Sequence, residues 1–288
     1  MNGTARYWAL AAALTGMVLG MSGCNQLMAR DQLNKGCEAY KSGHYDEAIE
    51  HFQKATELDP SLPMAKTYLA TALAQNVAPG VTTPDNLRMA NQSIEIFKEV
   101  LATNPNDINS MKQIAGIYFN IANRNNPQQW EQDLDNAQEW QKKVLAVDPK
   151  DPEAAYTVGV IDWTKAHANL LKALQDAGLN DDGKGNVKAP KKVMQPLAQE
   201  NAPLVEEGLK YLNMAVEDRP NYDDAMAYLN LIYRRKADVD YGNASAVADD
   251  LAQADKWRDD AMGTRKSNEE KKNQGPGGIQ IDSSGQMH

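Results

Sequence analysis

Apolar positions along this chain recur at steps of three and four residues, in stretches separated by turn residues, and that period predicts helix almost throughout. The clearest stretch is Gly36–Pro60, GCEAYKSGHYDEAIEHFQKATELDP. Two helical runs, GCEAYK and DEAIEHFQKATEL, flank the turn Ser42-Gly43-His44-Tyr45. In the second run Ala48, Ile49, Phe52, Ala55 and Leu58 form one apolar stripe. Gly36, Ala48 and Ala55 are small where two helices would cross, and Tyr40, Tyr45 and Phe52 supply bulk beside those gaps. Pro60 has no backbone N–H and biases Asp59 away from helix, so the second run stops there.

The closing element recurs as ATNP at Pro105, AVDP at Pro149 and EDRP at Pro220, each ending one stripe and opening the next. Between these prolines the pattern predicts helices over Met64–Gln75, Ser93–Leu101, Ile108–Ile121 and Trp130–Val147. Asn76–Asp85 and Asn123–Gln129 are rich in turn residues and read as loops. Pro152 opens a stretch without a breaker to about Ala177. Leu179–Ala189 contains Asn-Asp-Asp-Gly-Lys-Gly-Asn; it lacks the alternation and distant Glu of a Ca²⁺ loop and reads as an Asp-Gly turn. Helix is expected to resume by Pro203, leaving 166–202 as an insertion. Asp223 and Ala244–Met262 begin and complete a fifth pair, and 263–288, charged and glycine-rich, reads as a disordered tail.

The order Gly36, Tyr40 or Tyr45, Ala48, Phe52, Ala55, Pro60 resembles the tetratricopeptide repeat. That resemblance implies an all-α, helical-hairpin solenoid of about five pairs over 29–262. Long insertions are expected near 76–87, 123–130 and 166–202. It also implies that the first helices of the pairs line a concave groove for protein partners. Carrying the groove-facing spacing onto this chain points to Tyr40, Lys41, Thr67, Thr71, Asn109, Lys112 and Phe119. Further along it points to Tyr156, Val160, Trp163, Leu231, Arg234 and Arg235. For Tyr156 and Trp163, packing between repeats is an equal alternative. Arg234 and Arg235 could equally serve the end of a helix, where the dipole favours cations. Leu33 and Cys37 stand where chaperone-binding members of this family carry Lys and Asn, which argues against that specificity.

At the N-terminus, Arg6 precedes the apolar or small run Trp8–Met21, too short to span a bilayer but suited to a secretory signal. Met21-Ser22-Gly23-Cys24 resembles a bacterial lipobox, with Met in place of the usual aliphatic residue. The resemblance implies cleavage after residue 23, lipid on Cys24, a tether over 24–28 and a place in the cell envelope. Asn25 favours the outer membrane, facing the periplasm. Cys37 would then be the sole remaining thiol, a small hydrophobe rather than half of a disulfide.

Charge narrows the function classes further. A net charge of −9 repels nucleic-acid phosphate. No phosphate-binding loop, H-E-x-x-H, C-x-x-C or G-x-S-x-G motif occurs, and the four histidines are scattered. Neither a catalytic role, a cofactor nor a metal is therefore expected. Two functions remain: a lipid-anchored scaffold that binds protein partners in its groove, or a ligand-binding lipoprotein holding a small molecule or peptide there.

Overall fold

The computed structural model describes residues 24–273, and among them every regular element is a helix. The stretch 1–23, expected to be a signal sequence, and the stretch 274–288 lie outside the described residues. Ten helices follow in order: α1 (24–41), α2 (Tyr45–Leu58), α3 (Pro63–Asn76), α4 (Pro84–Thr103) and α5 (Ile108–Ile121). Then come α6 (Pro127–Val147), α7 (Pro152–Asp176), α8 (Lys191–Asp218), α9 (Asp223–Val239) and α10 (Ala244–Asn273). The chain divides into two compact units, one ending at Trp140 and the other starting at Gln141, so the division falls within α6.

Each closing proline stands two residues beyond a helix end: Leu58 before Pro60, Thr103 before Pro105, Val147 before Pro149, Asp218 before Pro220. The proline ring pushes the C-cap residue one position before it out of the helical region. Asp59, Asn104 and Arg219 consequently share one conformation, with φ of −141°, −132° and −134°. Each still closes its helix with a backbone N–H donated to the carbonyl four residues back. Starts are equally local. Thr83, Asp107 and Asp151 cap α4, α5 and α7 by accepting from backbone N–H groups of the first turn.

In the first unit α2 packs on α3, α3 on α4 and α4 on α5. Phe52, Leu69 and Leu73 anchor the core of the first pairs, and Ile94, Phe97, Ile114 and Ile117 the next. Gly36 fits because a Cβ there would lie 2.5 Å from Cε1 of Phe52. The link 77–83 is held by buried Asn86, whose Oδ1 accepts from Ala78 N (2.8 Å) and whose Nδ2 donates to Val81 O (2.7 Å).

In the second unit α7 packs along α8, α8 on α9 and α9 on α10. Gly159 allows the close α7–α8 crossing, since a Cβ there would lie 2.5 Å from Cγ of Leu212. Three expectations are corrected here. Helix resumes at Lys191, not only by Pro203, so most of 166–202 is helical: α8 carries Pro196 and Pro203 within it, and only 177–190 links it to α7. Leu170 and Leu174 of α7 pack on Met194 and Leu197 of α8, a satellite core that outweighs the backbone bonds the prolines cannot make. The tail does not start at residue 263, because α10 continues to Asn273. Arg265 pairs with Asp223 (2.7 Å) and Asp224 (2.9 Å), and Asn268 donates to Asn221 O, tying the extension to the start of α9. Residues 24–28 are not a loose tether either; they form the first turn of α1.

Candidate functional site

In the first unit the first helices of successive pairs, α1, α3 and α5, face a common cavity of about 440 Å³. Tyr40 and Lys41 enter from the last turn of α1, Thr67 and Thr71 from α3, and Asn109 from α5. The groove-facing spacing implied by the tetratricopeptide resemblance put these five residues on one prospective face, and the fold brings them together. The cavity has walls that periodicity did not disclose. Phe52 of α2 and Phe97 of α4, both almost wholly buried, form its floor, and Tyr68, Ser110 and Gln113 join the rim. Tyr68 and Gln113 neighbour predicted positions, one residue after Thr67 and one turn after Asn109. The two phenylalanines carried only a core signal, since a ring can serve core and cavity at once. Lys112 and Phe119 lie on α5 but not among the residues lining this cavity; Phe119 is exposed.

Aromatic contacts stiffen the walls. The Tyr40 and Tyr45 rings meet edge to face at 5.3 Å, and Phe52 lies 5.7 Å from Tyr68. Thr71 Oγ1 donates back to Thr67 O (2.9 Å), and Asp107 accepts from Ser110 N (2.9 Å) as the α5 cap. The Ser110 hydroxyl, 1% exposed, has no hydrogen-bond partner among the described residues. Burial pushes the Tyr40 phenol and the Cys37 thiol up from their ordinary ranges, with Lys41 partly offsetting the latter. A thiol held protonated is a wall group rather than a nucleophile. Such a cavity, apolar below and hydrogen-bonding at the rim, can hold an apolar side chain and orient the polar chain attached to it.

In the second unit the corresponding first helices, α7 and α9, meet through rings. Tyr156 lies 5.0 Å from Tyr222 and 5.6 Å from Tyr228; Trp163 lies 5.3 Å from Tyr228 and stacks on His167 at 4.9 Å. Arg219 covers Tyr222 at 4.6 Å and pairs with Glu153. Burial pushes the Tyr156 phenol above its usual range and that of Tyr222 up to about 12. Of the two readings for Tyr156 and Trp163, packing between repeats accounts for these contacts. Val160 is buried in the same helix, and Leu231 is half-buried.

Arg234 and Arg235 are corrected. Arg235, only 4% exposed, pairs with Asp181 (3.0 Å) and Asp238 (3.2 Å). Arg234 donates to Gly183 O (2.9 Å), Asn230 and Asp255. Both arginines clamp the 177–190 link onto α9 instead of facing a partner. Sequence spacing could not anticipate this, because the acceptors in the link, Gly183 and Asp181, lie 51 and 54 positions away. The same contacts use the carboxylates of the Asn-Asp-Asp-Gly turn: Asp181 also accepts from Asn186 and Gly183, and Asn186 bridges to Asp238. Among the described residues no cluster of His, Cys, Asp and Glu is arranged to hold a metal ion, and no helix is long and apolar enough to cross a membrane. Cys24, at the start of α1, is exposed.

Residues 29–62 match the family model of the tetratricopeptide repeat. Solved structures of similar fold include "MamA 41-end from Desulfovibrio magneticus RS-1", 17% identical, with a TM-score of 0.52 over 83% of this chain and 96% of that one. A MamA RS-1 ArsTM double mutant is 16% identical, with a TM-score of 0.53 over 85% of this chain and 98% of that one. A further MamA crystal structure is 12% identical, with a TM-score of 0.51 over 84% and 94%. At these identities the likeness is one of fold. No curated protein matches the chain in sequence.

Proposed function

We propose that this chain, which carries a tetratricopeptide repeat at 29–62 and has the helical-hairpin solenoid fold of that family, is a scaffold. It binds protein partners through the first-unit cavity and is held at the cell envelope by lipid on Cys24. One observation carries the binding half: Tyr40, Lys41, Thr67, Thr71 and Asn109, from three successive first helices, converge on one cavity. Its aromatic floor and polar rim suit a peptide segment, whose apolar side chain enters while its backbone bonds to the rim. The anchoring half is supported by the apolar run Trp8–Met21 and the Met21-Ser22-Gly23-Cys24 sequence. The outer membrane, facing the periplasm, is the location that Asn25 favours.

A photoreactive residue placed at Thr71 or Gln113 tests the binding half in cells. Crosslinked protein is expected from both positions and not from Lys54, exposed on α2 outside the cavity. Crosslinking from Lys54 with none from Thr71 would move the interface elsewhere. If instead purified protein shows a saturable thermal shift with a metabolite and no crosslinked protein, the cavity holds a small molecule. For the anchor, Cys24→Ser is expected to release the protein or leave the precursor uncleaved; unchanged mass and membrane retention would refute it.

A further inference from the structure

We propose that the first turn of α1 is seated in the lipid interface, with the Leu27 and Met28 side chains among the acyl chains and headgroups of a phospholipid bilayer. This rests on the reading of Cys24 as the lipidated residue. The chain is already helical at Cys24. Residues three and four positions on share its face, so Cys24, Leu27 and Met28 form one edge of the helix. Both side chains stand in the open, Leu27 at 72% and Met28 at 54% exposure. The other side of the same helix is spent on the protein interior, through Ala29 (0%) and Leu33 (8%). The exposed pair therefore has no part in packing the repeat, and apolar surface left in water is costly.

Continuity names the occupant. Acyl chains on Sγ of Cys24 would bring a lipid surface within one helical turn of both side chains. The polar end of the edge sets the depth. Asp31 and Lys35 pair at 2.7 Å with both side chains half exposed, marking where the face returns to water. Seven residues of helix from Cys24 to Asp31 rise roughly 10 Å along the axis, so the apolar edge ends within that distance of the lipidated residue. The two side chains act as a second attachment beside the lipid, and a helix without slack fixes the first unit at one height above the bilayer.

Tryptophan emission quenched by lipids brominated on the acyl chain reads this directly. The full chain carrying Leu27→Trp is purified in its processed form, its mass is measured, and it is placed in phosphatidylethanolamine/phosphatidylglycerol vesicles. Relative to the parent protein, the added emission is expected to be blue-shifted and largely lost in brominated vesicles. Asn34→Trp, exposed further along α1, is expected to retain its emission. If the mass shows diacylglycerol on Cys24 while Leu27→Trp stays red-shifted and unquenched, the helix stands clear of the membrane and this inference fails alone. If the mass shows no lipid on Cys24, the anchoring reading fails and takes this inference with it.

Discussion

The two units use one design and fill it differently. In the first, the first helices of successive pairs meet around Thr67, Thr71 and Asn109, short polar side chains that leave a cavity of about 440 Å³. In the second, Tyr156, Trp163, Tyr222 and Tyr228 meet ring to ring between α7 and α9. Backbone pairing and proline closure are shared by both. Side-chain volume at a handful of positions decides whether the surface between first helices is a site or a seam. The spacing carried over from the tetratricopeptide resemblance can therefore locate such a surface without saying which of the two it is.

Removing the seam is the harshest test. Tyr156→Ala with Trp163→Ala deletes both α7 rings from their partners, and large aromatic truncations cost about 3–5 kcal/mol when the void cannot collapse. Because both rings are half-buried, the double variant is expected near the low end of that range. Urea unfolding followed by circular dichroism measures it, and crosslinking from Thr71 in the first unit should persist. A melting curve that stays put, with partner crosslinking lost, would return these rings to the role of interface anchors.

A smaller loss is expected at the close crossing in the first unit. Gly36→Leu places side-chain atoms where Phe52 already stands, a Cβ alone lying 2.5 Å from Cε1. Overpacking of this kind costs roughly 1–3 kcal/mol. Phe52 also floors the cavity, so the variant should lose crosslinking from Thr71 together with stability. Unchanged thermal stability would show that α1 and α2 do not cross at Gly36.

Both tests start from residues that sequence made legible, and the reason is locality. A proline fixes the residue before it, and a glycine facing a ring on the next helix, as Gly36 faces Phe52, signals a close approach. Asp59, Asn104 and Arg219 share one backbone conformation for that reason. What stayed hidden depends on partners distant in sequence. Sequence leads one to expect helix to resume only by Pro203 because Leu170 and Leu174, which pack on Met194 and Leu197 beside Pro196, lie on α7. The end of α10 read as tail because Arg265 finds Asp223 across 42 positions. Arg234 and Arg235 fell at groove spacing, yet the 177–190 link turns back to claim both.

That clamp separates the units in another respect, through pH. Burial raises the carboxyl of Asp238 to about 6; Arg235 stands 3.2 Å away but without hydrogen-bond alignment, and it does not offset the desolvation. Asp250 is likewise raised to about 6 by burial, despite Lys236 at 2.8 Å. A carboxyl raised in the folded state contributes stability that is complete below its unfolded value near 4 and lost as pH rises through 6. Asp181 is lowered by Arg235 against its own burial, so it titrates below that window and does not cancel the trend. Going from pH 7 to pH 5 should therefore tighten the clamp by about 1–2 kcal/mol. Amide exchange over residues 181–186, corrected for its intrinsic pH dependence, reads this locally, and Asp238→Asn should flatten it. Faster opening at pH 5 would mean that the ionised pairs dominate.

The gentlest change in stability addresses the comparison itself, by giving the first unit the bulk of the second. Thr71→Trp directs an indole into the cavity between α3 and its neighbours. The Thr71 hydroxyl only bonds back to Thr67 O, so its loss strands no partner across the groove. Replacing a β-branched residue costs the helix little, and the ring gains contact with Tyr40 and Tyr68 on the walls. Stability is expected to move by less than about 1 kcal/mol, in either direction. Crosslinking from Gln113 should nevertheless disappear, because the volume that admitted the partner is occupied. Retained crosslinking in a folded Thr71→Trp protein would show that the partner never entered the cavity. The difference between an open site and a filled seam would then be one of packing alone, with no consequence for binding.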